Sequence, residues 1–116
     1  MNIKRYIDMA VRRELRRRVD GYRNINRVVG KFYALLHAYK PTDSQQKNAI
    51  EEAMRRIRVI PDQMESDSGE RKAFNSMFRI ERILVNSGIF DGGSGSKIRN
   101  LYGDLFLEMT DYGKSE

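Results

Sequence analysis

The chain has no cysteine and no tryptophan, one histidine, and only two prolines in 116 residues. Without cysteine there is neither a disulfide framework nor a thiolate metal site. With His37 alone there is no two-histidine or Glu-x-x-His spacing to hold a metal, and no metal or other cofactor is expected. No apolar run approaches the length of a membrane span. The opening stretch, "MNIKRYIDMAVRREL", scatters acids and arginines where a secretory signal would have an apolar core, so the expectation is a cytoplasmic protein with no membrane partner. Sustained two-residue alternation, the mark of a half-buried strand, is also missing.

Helical spacing runs through most of the chain. Ile3, Ile7, Val11, Leu15 and Val19 recur every fourth residue, with Gly21 expected to weaken or bend the helix after them. Ile25, Val28, Val29, Phe32, Leu35, Leu36 and Tyr39 form the strongest core face, ending at Pro41. Thr42 and Gln45 have capping-box spacing before a third helix with Ala49, Ile50, Ala53, Met54 and Ile57 inward. Glu51–Arg55 and Glu52–Arg56 are favourable pairs on its outer face, and Pro61 should stop it. Asp67 and Glu70 signal the start of a fourth helix carrying Ala73, Phe74, Met77, Ile80 and Leu84, which ends near Gly88. A fifth holds Ile98, Leu101, Tyr102, Leu105, Phe106 and Met109. The reading is a single all-α domain over residues 1–116, a compact bundle of four to five amphipathic helices. Residues 25–40 and 98–114 echo one another faintly. A helical array would need at least three such units, so the echo reads as shared core patterning.

Gly92-Gly93-Ser94-Gly95-Ser96 interrupts this pattern. The order Gly95-Ser96-Lys97 does not meet the phosphate-loop requirement for Gly-Lys-Ser/Thr, and the dinucleotide fingerprint fails as well. On composition, residues 92–96 read as a flexible joint without buried contacts, of engineered origin through circular permutation or loop replacement.

No nucleophile or triad context accompanies any serine or threonine. His37, between Leu36 and Ala38, reads as a partly buried, hydrogen-bonded residue rather than a general base. The methionines fill gaps on apolar stripes. No catalytic residue is identified, and the chain reads as a non-enzyme.

What is abundant is arginine, fifteen against seven lysines. The basic excess is confined to residues 1–40, where eleven Lys/Arg face three acids for a net +8; residues 41–91 and 92–116 each carry −1. Arg12, Arg13, Arg16 and Arg17 occupy adjacent helical rows, leaving Val11, Leu15 and Val19 for the core, and Arg5, Arg23 and Arg27 extend the strip with Tyr22 and Asn24 beside it. Guanidinium groups suit bidentate contact with phosphate. The leading expectation is therefore a nucleic-acid-binding or nucleoprotein-assembly protein that contacts the RNA or DNA backbone. The alternative is a helical adaptor or assembly subunit whose arginines meet an acidic protein. Self-association as a homo-oligomer is expected under either.

Overall fold

The computed structural model describes the backbone of residues 3–66, 69–91 and 93–114, and the side chains of residues 11, 19–66, 69–91 and 93–112. It is an all-α bundle, with no strand among the described residues. The helices are α1 (Ile3–Ala38), α2 (Ser44–Arg58), α3 (Ile60–Glu65), α4 (Glu70–Asn86) and α5 (Gly93–Lys114), with a turn of 3-10 helix at Ile89–Asp91 before α5.

The two segments expected on either side of Gly21 form one uninterrupted helix of 36 residues, about 54 Å long at 1.5 Å per residue. Its length sets the long dimension of a molecule measuring 67 × 25 × 16 Å. A glycine inside a helix costs roughly 1 kcal/mol against alanine. Here that cost stands against a close approach: a Cβ on Gly21 would lie 2.8 Å from Cδ2 of Tyr112. Gly21 therefore serves contact between α1 and α5, and does not break the helix.

Downstream of Gly21, α1 buries Ile25, Val28, Val29, Phe32 and Leu36. These join Ala49, Ile50, Ala53 and Ile57 of α2, Ala73, Met77, Ile80 and Leu84 of α4, and Ile98, Tyr102, Leu105 and Met109 of α5 in one core. Upstream, the expectation fails. Val11 is 51% exposed and Val19 48%, so neither faces the core. The reason is helix length: α5 ends two residues after Tyr112 packs at Gly21, and cannot cover α1 much beyond that point. Leu15 lies outside the described side chains.

The α2 cap is shifted by one residue from the expected Thr42/Gln45 box. Asp43 is the N-cap and its carboxylate accepts the Gln46 N–H at 2.8 Å. The Gln46 side-chain oxygen accepts from the Thr42 N–H and hydroxyl, both at 3.0 Å. Gln46 Nε2 then donates to the Ser87 carbonyl at 3.0 Å, tying the start of α2 to the end of α4. Of the two expected surface pairs, Glu52–Arg56 forms at 3.1 Å, and Arg79 of α4 approaches the same carboxylate oxygen at 3.7 Å.

Pro61 does not end structure but begins it. α2 closes at Val59, and Pro61 sits in the first turn of α3, where its missing N–H leaves no bond unmade. Asp67, expected to help cap α4, lies outside the described residues; the cap position is Gly69. Gly88 adopts φ 77, the left-handed conformation that commonly follows a helix end.

The Gly/Ser stretch also departs from its expected packing. Gly93–Ser96 form the first turn of α5. Gly93 and Ser94 are exposed, but Gly95 is buried, and a Cβ there would collide with the Ile89 carbonyl oxygen. Ser96 Oγ donates to the Gly93 carbonyl at 2.8 Å. Gly92 lies outside the described residues.

Gly95→Ala should therefore lower stability by about 1–3 kcal/mol, as overpacking does. Gly103→Ala, where an added Cβ meets nothing within 4 Å, should raise it by about 0.5–1 kcal/mol through helix propensity. Urea unfolding followed by circular dichroism distinguishes the two. Equal responses would show that Gly95 is not a packing site.

Candidate nucleic-acid interface

The sequence-predicted site residues all belong to α1. Positions 5, 12, 16, 23 and 27 are separated by seven or four residues, which on an uninterrupted helix places them along one row. That row spans about 33 Å and lies about half a turn from the row of Ile25, Phe32 and Leu36. Arg13 and Arg17 occupy the rows beside it. The side chains of Arg5, Arg12, Arg13, Arg16 and Arg17 lie outside the described residues. Arg23 and Arg27 are exposed, and neither makes an ion pair among the described residues. No acid occurs between Gly21 and Lys40, so this part of α1 offers its own arginines no carboxylate. Arg56 and Arg79, by contrast, are engaged with Glu52.

Beside the row, where α5 and the end of α3 meet α1, lies a groove of about 510 Å³. Val19, Tyr22, Arg23 and Asn26 of α1 form one side, with Glu65 and Tyr112 opposite. Tyr112 is half-buried against the core, whereas the half-buried Tyr22 takes no part in it. Asn26 Nδ2 donates to the Tyr22 carbonyl at 3.2 Å, which holds the carboxamide at the groove. Sequence reasoning placed Tyr22 beside the strip, but it missed Tyr112 and Glu65, which are remote in the chain.

The chain matches no protein-family model, and no curated protein or solved structure is significantly similar to it.

A second groove, of about 600 Å³, runs between α4 and α5. Phe78, Tyr102, Phe106 and Leu107 supply its apolar surface, and Phe78 and Leu107 are 54% and 63% exposed. Phe106 meets Phe74 edge-on at 5.5 Å between ring centroids and Phe78 at 5.9 Å. The Tyr102 hydroxyl lies 2.9 Å from both the Met77 carbonyl and Glu81 Oε2. Burial above all, then the hydrogen bond and charge of Glu81, push the Tyr102 hydroxyl well above its ordinary titration range. That clamp was not legible from spacing, because Glu81 reads as a solvated helix position.

His37, expected to be partly buried and hydrogen-bonded, is exposed in the last turn of α1. No group of three or more His, Asp or Glu that could hold a metal occurs among the described residues. No helix there is long and apolar enough to cross a membrane.

The raised Tyr102 gives a pH signature. The folded state favours the neutral phenol, so its contribution is whole below about pH 10 and is lost as the pH rises beyond that value. Tyr102→Phe should cost about 1 kcal/mol near neutrality and make the decline of stability above about pH 10 shallower. Guanidinium unfolding at neutral and alkaline pH measures both; an unchanged alkaline slope would remove Tyr102 from the account.

Proposed function

We propose that this chain is a small basic helical protein of the cytoplasm, without catalytic activity, that binds the phosphate backbone of RNA or DNA, alone or within a nucleoprotein assembly. The observation that carries the reading is the continuity of α1. An unbroken helix aligns positions 5, 12, 16, 23 and 27 in one row on the side away from the core. Arg23 and Arg27, the described members of that row, are exposed and unpaired among the described residues. Such a row can displace several counterions from a nucleic-acid backbone, and it carries nothing that selects base edges.

The exposed Phe78, Val85 and Leu107 on α4 and α5 favour a second reading, a helical assembly subunit whose arginines meet an acidic protein partner or which self-associates.

Replacing Arg12, Arg13, Arg16 and Arg17 together with Gln keeps helix propensity while removing four charges. Affinity for mixed-sequence nucleic acid at low salt should fall strongly, and the slope of log affinity against log salt should shrink by roughly 0.7–0.9 for each phosphate no longer neutralised. Fluorescence anisotropy across a salt series reads both quantities, with circular dichroism confirming the fold. A parent protein that binds no nucleic acid at low salt, or a quadruple variant with unchanged slope, would rule the reading out and favour the acidic-protein partner.

A further inference from the structure

Phosphate contact by the arginine row leaves the adjoining groove without a role. Arg23 belongs to both, so a backbone held along the row passes the groove's edge. Its composition is mixed in a specific way. Two tyrosine rings and the half-exposed Val19 give apolar surface, while the Asn26 carboxamide and the Glu65 carboxylate supply hydrogen-bonding groups. Asn26 commits one N–H to the Tyr22 carbonyl, so its oxygen and second N–H remain as acceptor and donor.

We propose that the groove bounded by Tyr22, Arg23, Asn26, Glu65 and Tyr112 receives an unstacked nucleobase, making single-stranded RNA or DNA, rather than duplex, the ligand of the arginine row. This rests on the reading of that row as a phosphate-binding face. A base presents a flat apolar face to stack on an aromatic ring and a polar edge to meet carboxamide and carboxylate groups. Its phosphates, one on each side, fall to the arginines. In a duplex the faces are stacked on neighbouring bases and the Watson–Crick edges are paired, so the groove has nothing to receive. Charge bears on the class of ligand and not on its strandedness: the net +8 of residues 1–40 attracts a polyanion, while Glu65 at the groove disfavours seating an acidic side chain there.

Tyr22 is the residue to change, because it takes no part in the core. Binding of a fluorescein-labelled single strand of mixed sequence, and of the same sequence as a duplex, would be measured by anisotropy at low salt. The parent should bind the single strand several-fold more tightly. Tyr22→Ala should weaken single-strand binding about tenfold, the scale of one base–aromatic stack, leaving duplex binding and the single-strand salt slope unchanged. Tyr22→Phe should stay within about twofold of the parent, since the ring face is kept. Tyr22→Leu, which keeps apolar bulk without a ring, should reproduce the alanine effect and guards against misfolding of the smaller variant. The chain has no tryptophan, so its intrinsic emission comes from tyrosine, and stacking on Tyr22 should quench part of it in the parent but not in Tyr22→Leu. Equal weakening on single strand and duplex, or none on either, would overturn the base site while leaving the arginine row standing. A parent that binds neither would overturn both.

Discussion

The packing of Tyr112 on Gly21 is the constraint from which the arrangement of the molecule follows. Any side chain at position 21 would hold the ring away, since even a Cβ would lie 2.8 Å from it. The contact brings the end of α5 against the middle of α1 and marks where the bundle's cover of α1 stops. Beyond it, Val11 and Val19 are half exposed; behind it, Ile25 to Leu36 enter the core. The groove with Tyr22, Asn26 and Glu65 forms at this boundary because Tyr112 supplies its far wall.

Keeping α1 unbroken has an electrostatic cost. Arg12 and Arg16, Arg13 and Arg17, and Arg23 and Arg27 are each four residues apart on the same helix, a spacing at which like charges destabilise by a few tenths of a kcal/mol per pair. No acid occurs between Gly21 and Lys40, and the nearest on the same helix is Asp20, one turn before Arg23. α2 handles the same problem with Glu52 placed one turn before Arg56 and also meeting Arg79. Arg23 and Arg27 are exposed and make no ion pair among the described residues, so an external anion that meets them stabilises the fold on binding. This gives the phosphate reading an energetic basis, and it applies equally to an acidic protein surface, which is why the salt and strand dependence matter.

The helical class and the inward positions of α4 and α5 were legible because a 3.6-residue period survives any detail of packing: Ala73, Met77, Ile80 and Leu84, and Ile98, Leu105 and Met109, are buried as their spacing predicts. The misreadings are all at residues whose role depends on what lies opposite them. Gly21 reads as a break and Gly95 as free of buried contacts, yet both serve close approach, to Tyr112 and to the Ile89 carbonyl. Pro61 is a stop signal after α2 and a start signal for α3, and sequence alone does not rank the two. Asp43 captured the cap expected of Thr42: its carboxylate accepts the Gln46 N–H, while the Gln46 side chain accepts from Thr42 and donates to the Ser87 carbonyl. In the candidate site, the arginine row could be read from spacing, whereas Glu65 and Tyr112 could not. They reach α1 only through the turn after α2 and the full length of α5.

The central claim is that α1 is a single unbroken helix carrying the positions of its basic row past the end of the bundle. The absence of cysteine makes a direct test available. Spin labels on Lys4→Cys and Asn26→Cys, away from the arginine row and on either side of Gly21, report their separation by pulsed electron–electron resonance. An unbroken helix predicts a narrow distribution centred at about 33 Å, from 1.5 Å per residue. A broad distribution, or one centred well below that distance, would mean that the chain bends at Gly21 and that the row is not continuous.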